Sequence, residues 1–176
     1  WKTDRPTIDV VPAGPKPIRI KLKDEWKDFP GAIRLMRRPE GGAVVSLIDT
    51  ETYLVGVVSA ELPAGFHRET FRVQAIAART YAWYLRQTYG RKREWDLTAT
   101  EKSQVYRGLE RVVPHVAEAV ADTRGIVCTW LSPQGEKIFC TYFSSRCGGT
   151  TAAAFNLGKD ATIPPLIGGV ACAYCR

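Results

Sequence analysis

One carboxylate stands at the end of an apolar helical face. Leu54, Val57 and Val58 recur at the helical period, and Glu61 falls three or four residues further on. Pro63 and Gly65 break the chain just beyond it. A Glu with an apolar stem behind it and a turn in front is expected to line a cleft, partly desolvated. Desolvation raises a carboxyl pKa towards the range a general acid needs. Cleavage of a glycosidic bond is one chemistry that uses such a group.

The second group is made of sulfur. The five cysteines are Cys128, Cys140, Cys147, Cys172 and Cys175. Cys172-Ala-Tyr-Cys175 has the two-residue gap of a metal knuckle or a redox pair. A redox dithiol prefers a strand-to-helix setting, which this stretch lacks. Cys147 precedes Gly148-Gly149, where the backbone can fold tightly around an ion. Three thiolates and a fourth ligand make a zinc site, with Cys140 as a candidate fourth. A disulfide between Cys147 and one of the pair is the rival, and it leaves one thiol over. Cys128 sits in Ile126-Val127-Cys128 and reads as core. His67 and His115, the two histidines, have no ligand spacing to a cysteine or to each other. No Gly-rich phosphate loop, nucleophile elbow or His-Glu-x-x-His motif is present.

These groups need elements to hold them. Thr50 to Gln87 reads as a short helix, a Pro-containing turn and a long helix, with Asp49 or Thr50 as the first cap. In the long helix Phe71, Ala75, Ala78, Ala82 and Leu85 form one stripe of mostly small residues, suited to close packing. Ile18, Ile20 and Leu22 alternate with basic residues as in a half-buried strand. Ala32 to Met36 and Ala43 to Ile48 read as a hairpin around Pro39-Glu40-Gly41-Gly42. Thr98 to Gly108 has no period and is expected to line a site. Pro114 to Thr123 reads as a helix with Gly125 closing it. Ile126 to Leu131 and Lys137 to Ser144 read as a second hairpin, which puts Cys140, Tyr142 and Ser144 on one face. Strands, helices and strands in this order argue an α+β fold with a mostly antiparallel sheet and a central helix pair.

With 176 residues, 45% of them apolar, the chain can build one core. Residues 1–16, with Pro6, Pro12 and Pro15, are expected to be a linker or tether to a domain over 17–176. The first residue is not Met, and the chain stops one residue past Cys175. A piece of a longer protein, cut at its C-terminus, is therefore expected. No run of about eighteen apolar residues spans a membrane. The net charge of +7 suits an anionic polymer or wall material. No zinc-finger, ribonucleoprotein or helix-turn-helix signature supports nucleic acid.

Taken together, several motifs resemble the stage II sporulation protein D (SpoIID) family, which includes the amidase-enhancer proteins. They are Tyr53-Leu-Val-Gly-Val-Val-Ser-Ala-Glu61-Leu-Pro63, Gln74-Ala-Ile-Ala-Ala-Arg79-Thr80-Tyr81-Ala82 and Ser103-Gln104-Val105-Tyr106-Arg107-Gly108. Thr123-Arg-Gly125, Ser144-Ser-Arg-Cys147-Gly-Gly149 and Cys172-x-x-Cys175 follow in the same order. The resemblance implies a lytic transglycosylase acting on peptidoglycan glycan strands in the cell wall or periplasm. Glu61 would be its acid/base, and Arg79, Gln104, Tyr106, Ser144 and Ser145 its substrate-contact or supporting residues. Many relatives carry His at the Ser144 position. A non-catalytic amidase enhancer or wall-binding module, with a cell-wall amidase as partner, is the alternative on the same fold. The helical spacing and the turn at Pro63 and Gly65 also predict an open groove, with Glu61 at its base and the polar stretches 103–108 and 144–149 as its far wall.

Overall fold

The computed structural model describes residues 6–22, 24–110, 112–157 and 163–175. Its fold is α+β, and its strand pairs are all antiparallel. Strand β1 (Thr7–Val10) pairs with β4 (Ala32–Arg38), which pairs with β5 (Gly41–Leu47) in a three-stranded sheet. Strands β2 (Ile18–Leu22) and β3 (Glu25–Phe29) make a separate hairpin.

The linker expectation for residues 1–16 does not hold over Thr7–Val10. Pro6 and Pro12 flank that strand and do not interrupt it, so its amides remain available for pairing. Asp9 takes two hydrogen bonds from Arg34 across the β1–β4 pair, at 2.8 Å each. Residues 1–5 lie outside the described residues.

Helix α1 (Thr50–Glu61) starts as expected. The Asp49 side chain accepts from the Thr52 N–H at 3.0 Å, and Glu51 stands in the first turn. Helix α2 (Arg68–Tyr89) is capped by His67, whose ring nitrogen accepts from the Glu69 N–H. Helix α3 (Pro114–Asp122) has its proline in the first turn. Leu54, Val57 and Val58 from α1, Phe71, Ala75 and Ala78 from α2, and Val116, Ala119 and Val120 from α3 form one core with Phe29, Ile33 and Tyr106. The small-residue stripe of α2 is what permits this close approach.

The second hairpin is shorter than the sequence pattern. Strands β6 (Thr129–Ser132) and β7 (Gly135–Ile138) pair over four residues each. Beyond them both arms are drawn onto α2. The Cys128 N–H donates to the Thr80 hydroxyl at 2.9 Å, and the Thr141 hydroxyl donates to the Ala77 carbonyl at 2.7 Å. The first bond takes a backbone N–H that a longer ladder would have used, and the second fixes the other arm against α2. Cys140, Tyr142 and Ser144 therefore do not share a strand face. Cys128 is half-buried at this junction and not fully in the core.

Candidate active site

Glu61 is the last residue of α1 and is half-buried. Its Oε1 accepts a hydrogen bond from the backbone N–H of Val105 at 3.3 Å. This bond ties the helix end to the 103–108 segment, as expected for a wall beside the carboxylate. The carboxylate borders a cavity of about 350 Å³ formed with Gly56, Ser59, Leu62, Arg107 and Gly108. Gly56 belongs to this contact by necessity. A Cβ there would stand 2.6 Å from the Tyr106 ring and 2.8 Å from the Gly108 carbonyl oxygen. Gly108 is held in turn at φ +70°, where a Cβ would meet the Asp28 carbonyl oxygen.

Two of the residues expected to contact substrate are internal braces. Arg79 is 1% exposed. Its guanidinium forks onto Glu51 at 3.0 and 2.7 Å and donates to the carbonyls of Ile126 and Val120 at 3.2 Å each. It joins α2 to the start of α1 and the end of α3 through four hydrogen bonds. Gln104 is also 1% exposed. It donates to the Ala78 carbonyl and accepts from the Tyr53 hydroxyl, at 3.2 and 3.1 Å. Neither side chain is free to hold a ligand, because each fills a buried polar requirement of the fold.

Tyr106 is buried among Phe29, Tyr53 and Gly56. Burial pushes its phenol up to about 12, with the nearby Ser46 hydroxyl acting the other way. Tyr106 borders a different cavity from that of Glu61. Ser144 and Ser145 are exposed, and neither borders the Glu61 cavity. The Ser144 hydroxyl donates to the Arg146 carbonyl at 3.2 Å. The expected far wall at 144–149 is thus absent from this cavity. Ser59 and Arg107 border it instead, and the sequence reading assigned them no role. Arg107 lies within Ser103-Gln104-Val105-Tyr106-Arg107-Gly108, where its basic side chain is the signal the sequence carries. The Val105 amide has no side-chain signature and could be found only in three dimensions.

Cys147, Cys172 and Cys175 meet, their sulfurs all within 4.8 Å of one another. The backbone shows how. Gly148 and Gly149 both take positive φ, at 63° and 96°, so the chain turns back just after Cys147. Thr150 then pairs with Ala171, and the Cys172 N–H donates to the Gly149 carbonyl at 2.8 Å. Cys172-Ala-Tyr-Cys175 is itself a turn. Gly149's backbone hydrogen bond favours the Cys147 thiolate, but desolvation and the neighbouring thiols of Cys175 and Cys172 outweigh it and raise that thiol's pKa. The Cys172 thiol is lowered, first by the backbone N–H of Tyr174 and then by the thiols of Cys147 and Cys175. This donor set could hold a metal ion. Cys140 is buried and stands outside the trio, beside Tyr142 and Tyr81. It is removed as the fourth ligand because the chain leaves the hairpin towards α2 before reaching it.

The SpoIID family profile, described as a stage II sporulation protein, matches residues 40–130. That span holds α1, α2, α3 and the segment bonded to Glu61. The chain belongs to the SpoIID family. It is 35% identical over 149 residues to an uncharacterized protein of Brachyspira hyodysenteriae, covering 85% of this chain and 39% of that one. It is 30% and 29% identical over 123 residues to the stage II sporulation protein D of Bacillus amyloliquefaciens and of Bacillus subtilis. Each of those matches covers 62% of this chain and 35% of the relative. The chain thus spans little more than a third of the length of these relatives. No solved structure matches it. Among the described residues, no helix is long and apolar enough to cross a membrane.

Proposed function

We propose that the chain cleaves peptidoglycan glycan strands as a lytic transglycosylase, with Glu61 as its one acid/base. The observation that supports this is the half-buried Glu61 carboxylate, held by the Val105 amide at the edge of a cavity that can admit part of a sugar chain. In this reading protonated Glu61 gives its proton to the oxygen between N-acetylmuramic acid and N-acetylglucosamine. The bond from that oxygen to C1 of the muramic residue breaks. The 6-hydroxyl of the same residue attacks C1 and returns its proton to Glu61. A 1,6-anhydro ring closes and no water is consumed, so one carboxyl serves both steps. Arg107, on the cavity wall, would steady the carboxylate that Glu61 becomes within each turnover, between giving up its proton and taking it back. The substrate places this chemistry outside the cytoplasm, at the wall.

The cysteine trio would hold zinc in a structural role, away from the acid/base. Three thiolates suit zinc, and the fourth position would go to water or to the Ser144 hydroxyl.

The test is incubation with purified glycan strands and mass analysis for anhydro ends. Glu61→Gln keeps the side chain's size and removes its ionisable proton. Turnover is expected to fall by about a hundredfold or more, with folding intact. A variant that cleaves at the wild-type rate overturns the assignment. A wild type that leaves every glycan preparation intact, yet speeds a wall amidase, would make the chain an enhancer.

A further inference from the structure

A larger cavity, of about 650 Å³, lies between β5, the start of α1, the C-terminal half of α2 and the 93–99 loop. It shares no lining residue with the cavity beside Glu61. Three features mark it as built for a ligand. First, the side chains of Tyr106 and Ser46 stand on its wall, their hydroxyls shielded and close to each other. Second, the indoles of Trp83 and Trp95 line the same space. Each carries a guanidinium on one face, Arg86 at 5.4 Å and Arg38 at 4.7 Å. Third, Ala43 to Ile48 line it consecutively, so the cavity runs along the outer edge of β5. Among the described residues no strand pairs with that edge, and every second residue there turns its N–H and C=O outward.

We propose that this cavity binds a short N-acetylated saccharide, a second hold on the glycan apart from the cleavage site. The choice of ligand rests on the glycan-cleavage reading. A sugar ring has an apolar C–H face that lies against an indole and a rim of hydroxyls that need fixed partners. Tryptophan walls and a row of strand-edge amides supply both. The volume falls within the range of sites for ligands of this size. The 98–108 segment borders both cavities, through Thr98, Ala99 and Tyr106 on one side and Arg107 and Gly108 on the other. A strand held in the larger cavity would be tethered to the same segment whose Val105 amide holds Glu61.

The probe is N,N'-diacetylchitobiose, titrated calorimetrically into the intact chain. It lacks the muramic residue and is not cleaved by the proposed reaction. Saturable binding in the millimolar range or tighter is expected, unchanged in Glu61→Gln. Trp95→Ala, which removes the second indole of the wall, should weaken binding by about fivefold. Trp83→Ala, at a half-exposed position on α2, should weaken it by about fivefold. Absence of binding overturns the proposal, and so does binding lost in Glu61→Gln but intact in both other variants. Binding of a capped, extended Thr/Val peptide in place of the disaccharide overturns it too, and would make the β5 edge a strand-pairing site. Failure here leaves the Glu61→Gln cleavage test standing, and a wild type that binds disaccharide without cleaving glycan fails only the cleavage reading.

Discussion

At the scale of residues, the division of labour among polar side chains follows burial. Arg79 and Glu61 sit in the two signature stretches of the helix pair, yet one is sealed and the other borders a cavity. A buried guanidinium needs its counter-charge, and Glu51 supplies it with two hydrogen bonds. Glu51→Ala is therefore expected to destabilise the fold by up to about 3 kcal/mol, the low end for a buried pair because Glu51 keeps some contact with water. Chemical denaturation would show it as a lower midpoint at an unchanged slope. A loss under about 0.5 kcal/mol would mean that water or another acceptor replaces Glu51. Arg79→Lys is also expected to be poorly tolerated, since an ammonium cannot make the same fork.

At the scale of elements, the contact of α1 with the 104–108 segment positions Glu61. Gly56→Ala adds helix propensity worth about 1 kcal/mol, which taken alone would stabilise α1. The added methyl has nowhere to go, because the Gly108 carbonyl is backbone and the Tyr106 ring is packed. A net destabilisation of about 1–3 kcal/mol is expected, with loss of glycan cleavage beyond what stability explains. A stable, fully active variant would show that the segment moves without disturbing the acid. The start of α1 carries its own pH dependence. Burial works against ionised Asp49, but hydrogen bonds from the Thr52 side chain and from the Thr52 and Glu51 amides prevail and hold its carboxyl below 3.8. The cap's contribution is thus complete above about pH 4 and is lost as pH falls through the depressed folded value. Asp49→Ala is expected to cost about 1 kcal/mol at neutral pH and less in acid. Paired melting curves at pH 7 and pH 3 check the sign.

At the scale of the whole molecule, the segment after β7 contains little regular structure. Among the described residues it has two short 3₁₀ turns, at Ala154–Leu157 and Pro164–Leu166, and one isolated bridge. Such a segment has few backbone bonds of its own to offset its entropy, so a cross-link or an ion has much to contribute. About one equivalent of zinc is expected in protein prepared without chelator. EDTA or Cys172→Ser should lower the melting temperature by several degrees, with the helical core still folded by circular dichroism. A disulfide on intact-mass analysis with no bound metal would exclude the zinc assignment and keep the meeting of the thiols.

The features legible in the sequence are those governed by local periodicity and punctuation. The three helices, the β4–β5 hairpin and strand β2 follow from apolar spacing of 3.6 or 2 residues and from caps and turns a few residues away. The position of Glu61 at the end of an apolar face is of this kind, and so is the cysteine pair at its two-residue gap. What only the tertiary structure decided depends on partners far along the chain. Arg79 is a brace because Glu51, 28 residues away, and the Ile126 carbonyl, 47 away, meet it in the interior. Gln104 is internal because Tyr53 and Ala78 enclose it. Strand β1 exists because β4 offers an edge, 25 residues on at the Asp9–Arg34 contact, and β6–β7 ends early because α2 takes its flanking groups. A polar residue's type states what it must bond to. Whether that partner is protein or ligand is settled by which chain segments close around it, and no local spacing carries that information.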